Sequence, residues 1–238
     1  MSRKLAARER LFVALDVASV DRARVLVAEL GDTVSCYKVG LELLFGGGLE
    51  FAQGLKAAGK TVFLDMKLLD IENTVAKAAA NIASLDLDYL TIHGTDAKTL
   101  AAAVRGRGPS KLKLLAVTVL TNLEQADIEQ QGIKGMAPAD LVLHRARISK
   151  AAGVDGIVAS GLEAAMIRAE VGPDMLIVTP GIRLAGGEAG DQARVMTPGK
   201  AIAAGADCLV VGRPITEAAD PRAVAEAFVK EIDGALKG

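Results

Sequence analysis

Eight times along the chain a short apolar, β-rich run gives way to an Ala-rich amphipathic stretch. That alternation constrains the fold more than any other feature. The runs occupy residues 11–16 (LFVALD), 34–39 (VSCYKV), 61–66 (TVFLDM), 89–93 (YLTIH), 112–119 (LKLLAVTV), 156–159 (GIVA), 176–179 (LIVT) and 208–211 (CLVV). Between them lie stretches such as DRARVLVAELG, TVAKAAANIASL and ADLVLHRARISKAAG. Near-continuous apolar runs suit parallel strands buried on both faces, and strands that alternate with helices imply right-handed crossovers. Several strands share one prelude, a helix ending in Ala-Gly: KAAGKT, KAAGVDG and AAGADC. Glycine there suits the left-handed position that closes a helix. Eight units in 238 residues predict an α/β chain folded as a (β/α)₈ TIM barrel, a single domain over 1–238. The competing arrangement is an open doubly wound sheet, but no G-x-G-x-x-G follows the first strand. Residues 121–137 (TNLEQADIEQQGIKGMA) exceed a plain βα loop and predict a short extra helix.

Composition narrows the partners. A formal net charge of −1, 3% aromatics and no Trp give no electrostatic or stacking grip on nucleic acid. No apolar run approaches the ~20 residues of a membrane span, and the polar, basic start MSRKLAARER carries no secretory apolar segment. The two cysteines, Cys36 and Cys208, sit inside apolar runs and read as buried thiols of a cytoplasmic protein.

In such a barrel the chemistry gathers at the C-terminal ends of the strands. Asp16, Lys38, Asp65, Lys67, His93, Thr118, Thr121, Arg183, Gly212 and Arg213 all fall at or just beyond those ends. Asp65 and Lys67 are two apart, so on a regular strand both project into the mouth. Asp70 lies three residues further on. It could cap the next helix, although Asn73 is an equally good cap, or it could be a solvated loop acid. A second cluster combines TPGIR (179–183), the Gly-rich loop of residues 184–196 and VGRPI (211–215). Glycines, arginines and a short helix start after strands seven and eight match the recurrent phosphate site of these barrels. The Gly-rich part of that loop, residues 184–190, is a candidate lid. His93 reads as a core or outer-layer group and His144 as structural. With no H-x-H or H-E-x-x-H, a His-rich metal site is not expected.

The run Asp65-Met66-Lys67-Leu68-Leu69-Asp70-Ile71-Glu72-Asn73-Thr74 resembles the D-x-K-x-x-D-I-x-N-T pattern of the orotidine 5′-phosphate decarboxylase family. The likeness extends to ALD (14–16), KVG (38–40), TIHG (91–94), AVTVLT (116–121), TPGIR, GDQ (190–192) and VGRPIT (211–216). It is specific to the bacterial form. Leu68, Leu69 and Glu72 depart from residues common there, and they imply altered loop packing rather than lost activity. The resemblance implies a TIM-barrel homodimer that converts orotidine 5′-monophosphate to UMP and CO₂, the last step of de novo UMP synthesis, without cofactor or metal. It implies Lys67 as proton donor to C6, Asp65 beside the departing carboxylate, and Lys38 completing the charged array. Asp16 and Lys38 would bind the ribose, and Thr121 would lie by the nucleotide. Arg183, Gln192, Gly212 and Arg213 would hold the phosphate. Asp70 and Thr74 would reach the partner's site.

The chemistry suits these residue types. Loss of CO₂ from C6 leaves a carbanion outside the ring π system, so the protein must stabilise localised charge. A lysine flanked by carboxylates can do this and then give up its proton, which an arginine cannot. The barrier lowering required is on the order of 20 kcal/mol, more than one lysine supplies, so remote phosphate binding is the natural supplement. Two other readings compete. One is a metal-dependent decarboxylase or aldolase of sugar phosphates from the same superfamily, and the other is a non-catalytic nucleotide-binding barrel.

Overall fold

In a computed structural model, which describes residues 5–186 and 195–237, eight parallel strands close in sequence order into a barrel. The strands are β1 (Leu11–Ala14), β2 (Cys36–Gly40), β3 (Thr61–Leu68), β4 (Tyr89–His93), β5 (Lys113–Val117), β6 (Gly156–Val158), β7 (Leu176–Thr179) and β8 (Cys208–Val211). One main helix follows each strand: α1 (Val20–Leu30), α2 (Leu49–Ala57), α3 (Glu72–Ala83), α4 (Ala97–Arg107), α5 (Pro138–Ala152), α6 (Ala164–Val171), α7 (Pro198–Ala203) and α8 (Pro221–Lys237). This is the (β/α)₈ order that the sequence alternation predicts. The expected extra helix is Gln125–Gln130. Gly59, Gly153 and Gly205, which end the Ala-Gly preludes, all have positive φ (77°, 80° and 103°). That is the conformation that closes a helix at low steric cost.

Alternation along the strands divides the apolar residues into two cores. Leu11, Val13, Val39, Leu64, Leu90 and their counterparts face outward and pack under the helices. Phe12, Cys36, Phe63, Tyr89, Leu115, Val178 and Cys208 face inward and fill the lumen. Phe12 meets Phe63 and Tyr89 edge to face, with ring centroids 5.7 and 5.4 Å apart. The lumen is therefore plugged, and any ligand must bind above this aromatic floor. Cys36 and Cys208 are free thiols within that plug.

The opposite end of the barrel carries a repeated fastening. Asp88, Asp155 and Asp207 precede β4, β6 and β8. Each accepts through Oδ2 the N–H of the second residue of the preceding strand, from Val62, Leu114 and Ile177 at 2.8, 2.9 and 2.8 Å. Each also donates its own N–H to the carbonyl of that same residue. A cation from a preceding helix completes each clamp: Lys56, Arg107 and Arg168. The face away from the strand C-termini thus holds adjacent strands in register.

Candidate active site

A cavity of about 580 Å³ opens at the C-terminal ends of the strands, with Phe63 at its base. Eight of the residues singled out from the sequence line it: Asp16, Lys38, Asp65, Lys67, Thr121, Arg183, Gly212 and Arg213. Its remaining walls are largely apolar, from Val117, Val119, Leu120, Val158, Pro180 and Val210. A concave pocket with apolar walls and a few convergent charges is the usual form of a small-molecule site.

The charges form one alternating row. Asp16 accepts from Lys38 Nζ at 2.9 and 3.2 Å. The same ammonium lies 3.3 Å from Asp65 Oδ2, and Asp65 Oδ1 accepts from Lys67 Nζ at 2.9 Å. Burial alone would raise the Asp65 carboxyl, but the Lys38 and Lys67 ammonium groups outweigh it and hold the group below the usual carboxylate range. Burial alone would lower Lys38, and Asp65 and Asp16 together reverse that and raise it. The interior of the row is therefore a fixed set of full charges in a low-dielectric wall.

Asp65 and Lys67 meet as expected, but not through a regular pleat. Between Leu64 and Leu68 β3 advances four residues while β4 advances two, from Leu90 to Ile92. Within this bulge Lys67 has φ of 50°. Its N–H leaves the ladder and donates to Thr91 Oγ1 at 2.9 Å, while the Thr91 hydroxyl donates to Asp65 Oδ1 at 2.8 Å. Thr91 drew no role from the sequence, although a polar side chain facing inward from mid-strand two positions before His93 was a signal for it. Glu42 and Glu217 also line the cavity without having been anticipated. They stand beyond the ends of β2 and β8, where strand alternation no longer tells which way a side chain points.

Arg183 and Arg213 stand together on one side of the cavity. Burial, and then the neighbouring Arg213 charge, lower the Arg183 guanidinium. Two cations brought this close are a natural receptor for a dianion such as a phosphate monoester. Gly212 leads into the short helix Arg213–Thr216. Gln192 lies outside the described residues, as does most of the Gly-rich loop.

Asp70 and Thr74 do not line this cavity. Both are exposed at the start of α3. Neither Asp70 nor Asn73 caps that helix: Ile71 holds the cap position without a side-chain hydrogen bond, and Asn73 lies inside the first turn. Asp70 instead accepts from the adjacent Ile71 N–H at 2.6 Å. Leu69 and Ile71, on either side of it, are 56% and 72% exposed. His93 is half-buried and held below the usual histidine value by burial and by the nearby Lys67 and Arg145 charges. His144 is exposed on α5. Among the described residues, no group of three or more His, Cys, Asp or Glu side chains is placed to share a metal ion. No helix among them is long and apolar enough to cross a membrane.

Comparison with known proteins places this geometry in context. Residues 9–228 match the family described as "Orotidine 5′-phosphate decarboxylase / HUMPS family". An orotidine 5′-phosphate decarboxylase of Rhodopseudomonas palustris (strain BisA53) is 55% identical over 229 residues, 96% of this chain and 97% of that protein. One of Methylorubrum extorquens (strain PA1) is 53% identical over 96% of this chain and 97% of its own. A crystal structure of orotidine 5′-phosphate decarboxylase from Lactobacillus acidophilus superposes with a TM-score of 0.83 at 35% identity, covering 94% of this chain and 98% of that one.

Proposed function

The chain belongs to the orotidine 5′-phosphate decarboxylase family, and from that premise we propose how its own residues carry the reaction. The substrate is orotidine 5′-monophosphate and the products are UMP and CO₂. The C6–carboxylate bond breaks and its electron pair stays on C6. Lys67 then transfers a proton from Nζ to C6 and is reprotonated from solvent. The observation that carries this assignment is the 2.9 Å ion pair between Lys67 Nζ and Asp65 Oδ1 at the wall of the cavity. An ammonium held there needs no reorganisation when negative charge develops.

The rest of the row supports the same reading. Asp65 stands where it would flank the departing carboxylate, and Asp16 with Lys38 offers paired donors and acceptors to the ribose hydroxyls. Arg183, Gly212 and Arg213 would take the 5′-phosphate, with Thr121 beside the nucleotide and Gln192 joining from outside the described residues. Phosphate binding energy then helps hold the reacting ring against the row.

The enzyme is proposed to work as a homodimer in which Asp70 and Thr74 complete the partner's site. Their exposure beside the apolar Leu69 and Ile71 supports this, because a second copy would cover those side chains. A cytoplasmic location belongs to the same reading, supported by the unpaired thiols of Cys36 and Cys208.

The test follows the fall in orotidine 5′-monophosphate absorbance for the wild-type enzyme and for Lys67→Ala, with and without EDTA. Chelator-insensitive turnover by the wild type and none by Lys67→Ala is expected, with UMP binding retained by the variant. Normal turnover by Lys67→Ala would remove the proton-donor role. Loss of wild-type activity in EDTA would favour the metal-dependent reading.

A further inference from the structure

Among the described residues only two non-glycine residues have positive φ, Lys67 and Asp86. Side chains other than glycine rarely adopt that conformation, and surrounding interactions must hold it. At Lys67 the interaction is visible. The N–H that the bulge removes from the ladder donates to Thr91 Oγ1. Thr91 is fully buried at the centre of β4. Its single hydroxyl proton is donated to Asp65 Oδ1. The directions are fixed by chemistry, since a backbone N–H only donates and a carboxylate only accepts.

These bonds close a ring. Thr91 Oγ1 binds Asp65 Oδ1, Asp65 Oδ1 binds Lys67 Nζ at 2.9 Å, and the Lys67 side chain returns to the N–H held by Thr91. One hydroxyl therefore fixes both ends of the lysine: its backbone directly, and its ammonium through the carboxylate. We propose that Thr91 is a positioning residue that holds Lys67 in its left-handed conformation and sets its ammonium against Asp65. This rests on the reading of Lys67 as proton donor. The Thr91 hydroxyl bonds the two charged residues and Thr91 does not line the cavity, so its contribution belongs to the placement of the proton and not to substrate affinity. Arg183 and Arg213, proposed to take the phosphate, follow β7 and β8, away from the β3–β4 pair that Thr91 joins.

The experiment compares Thr91→Val, Thr91→Ser and Lys67→Ala in one assay of orotidine 5′-monophosphate turnover, with thermal midpoints measured in parallel. Valine keeps the shape and the β-branching but loses both hydrogen bonds, whereas serine keeps the hydroxyl. Thr91→Val should lose about ten- to a hundredfold in kcat with KM within about threefold of wild type. Thr91→Ser should recover kcat to within about threefold of wild type. If the valine variant does not fold, Thr91→Ala carries the same comparison. The proposal is overturned if the hydroxyl-free variant keeps kcat within about twofold of wild type, if its defect lies in KM alone, or if serine is as impaired as valine. An active wild type with an inactive Lys67→Ala and an unaffected Thr91→Val would overturn this inference alone. An active Lys67→Ala, or a wild type that does not consume the substrate, would overturn the reading beneath it.

Discussion

A Cβ on Gly40 would lie 2.5 Å from Oδ1 of Asp16 and 2.9 Å from Nζ of Lys38. The absence of a side chain at the end of β2 is thus what lets the first ion pair of the charged row form. Gly40 has φ of −97°, which alanine also adopts freely, so the constraint is contact and not backbone conformation. Gly40→Ala should displace Asp16 or Lys38 and lower kcat/KM by about tenfold or more, with stability changed by about 1 kcal/mol or less. Steady-state kinetics beside a denaturation curve would check it. A variant with wild-type kcat/KM would show that the row tolerates the extra methyl.

The state of Asp65 makes a prediction about pH. Its folded value is depressed, so the stability it contributes is complete above the unfolded carboxyl value of about 3.9. That contribution is lost as pH falls through the lower folded value. Lys38 is raised, so its contribution is complete below about 10.4 and is lost as pH rises through its higher folded value. The difference in urea midpoint between wild type and Asp65→Asn should accordingly be level from about pH 5 to 9 and shrink in acid. A difference that widened in acid would contradict the charge state assigned to Asp65.

How far the sequence foretold this site differs residue by residue. Strands buried on both faces leave unbroken apolar runs, so all eight strands were legible, and so was the rim on which Asp16, Lys38, Thr121, Arg183 and Arg213 converge. Asp65 and Lys67 were expected together because strand neighbours two apart share a face. They do meet, but across a bulge and a left-handed lysine whose existence depends on Thr91 of another strand. No local pattern within residues 61–68 encodes that partner. Glu42 and Glu217 were missed because they lie past the strand ends, where the period of two has lapsed. The place of Asp70 was illegible for a different reason: on its own chain it stands in solvent, beside apolar side chains.

That exposure leads to a test of shared sites. Asp70→Ala and Lys67→Ala should each be inactive alone, each in a different way. If Asp70 acts across a two-fold interface, a heterodimer of the two variants carries one site with both defects and one with none. Random exchange gives about half heterodimers, so about a quarter of all sites should be intact and activity should return to about that level. Mixed subunits with verified exchange and no recovered turnover would mean that Asp70 does not serve the neighbouring site.

The arginine pair predicts a loss confined to the phosphate. Arg213→Ala should lower kcat/KM by about ten- to a hundredfold and weaken UMP binding, because one charge-assisted partner of a dianion is gone. Uridine, which lacks the phosphate, should bind the variant and the wild type equally. Equal weakening for both ligands would indicate a disturbed pocket, and unchanged UMP affinity would move the phosphate elsewhere.

The clamp at the far end of the barrel should separate stability from activity. Asp155 accepts the Leu114 N–H at 2.9 Å and pairs with Arg107. Asp155→Ala leaves that N–H and the guanidinium without their acceptor, and an unsatisfied backbone donor costs about 1–3 kcal/mol. For a chain of this size a loss of about 2 kcal/mol lowers the thermal midpoint by about 4–8 °C. Asp155→Asn keeps an acceptor oxygen for the N–H and loses only the charge. The pair is partly exposed, with side-chain accessibilities of 17% and 33%, so solvent screening keeps that charge term small and the asparagine variant should lose less than half as much. Neither change touches the cavity, so kcat measured well below the midpoint should match wild type for both. Equal destabilisation by alanine and asparagine would assign the clamp to charge and not to the hydrogen bond. A fall in kcat at low temperature would mean that strand register at the base of the barrel is transmitted to the charged row at its mouth.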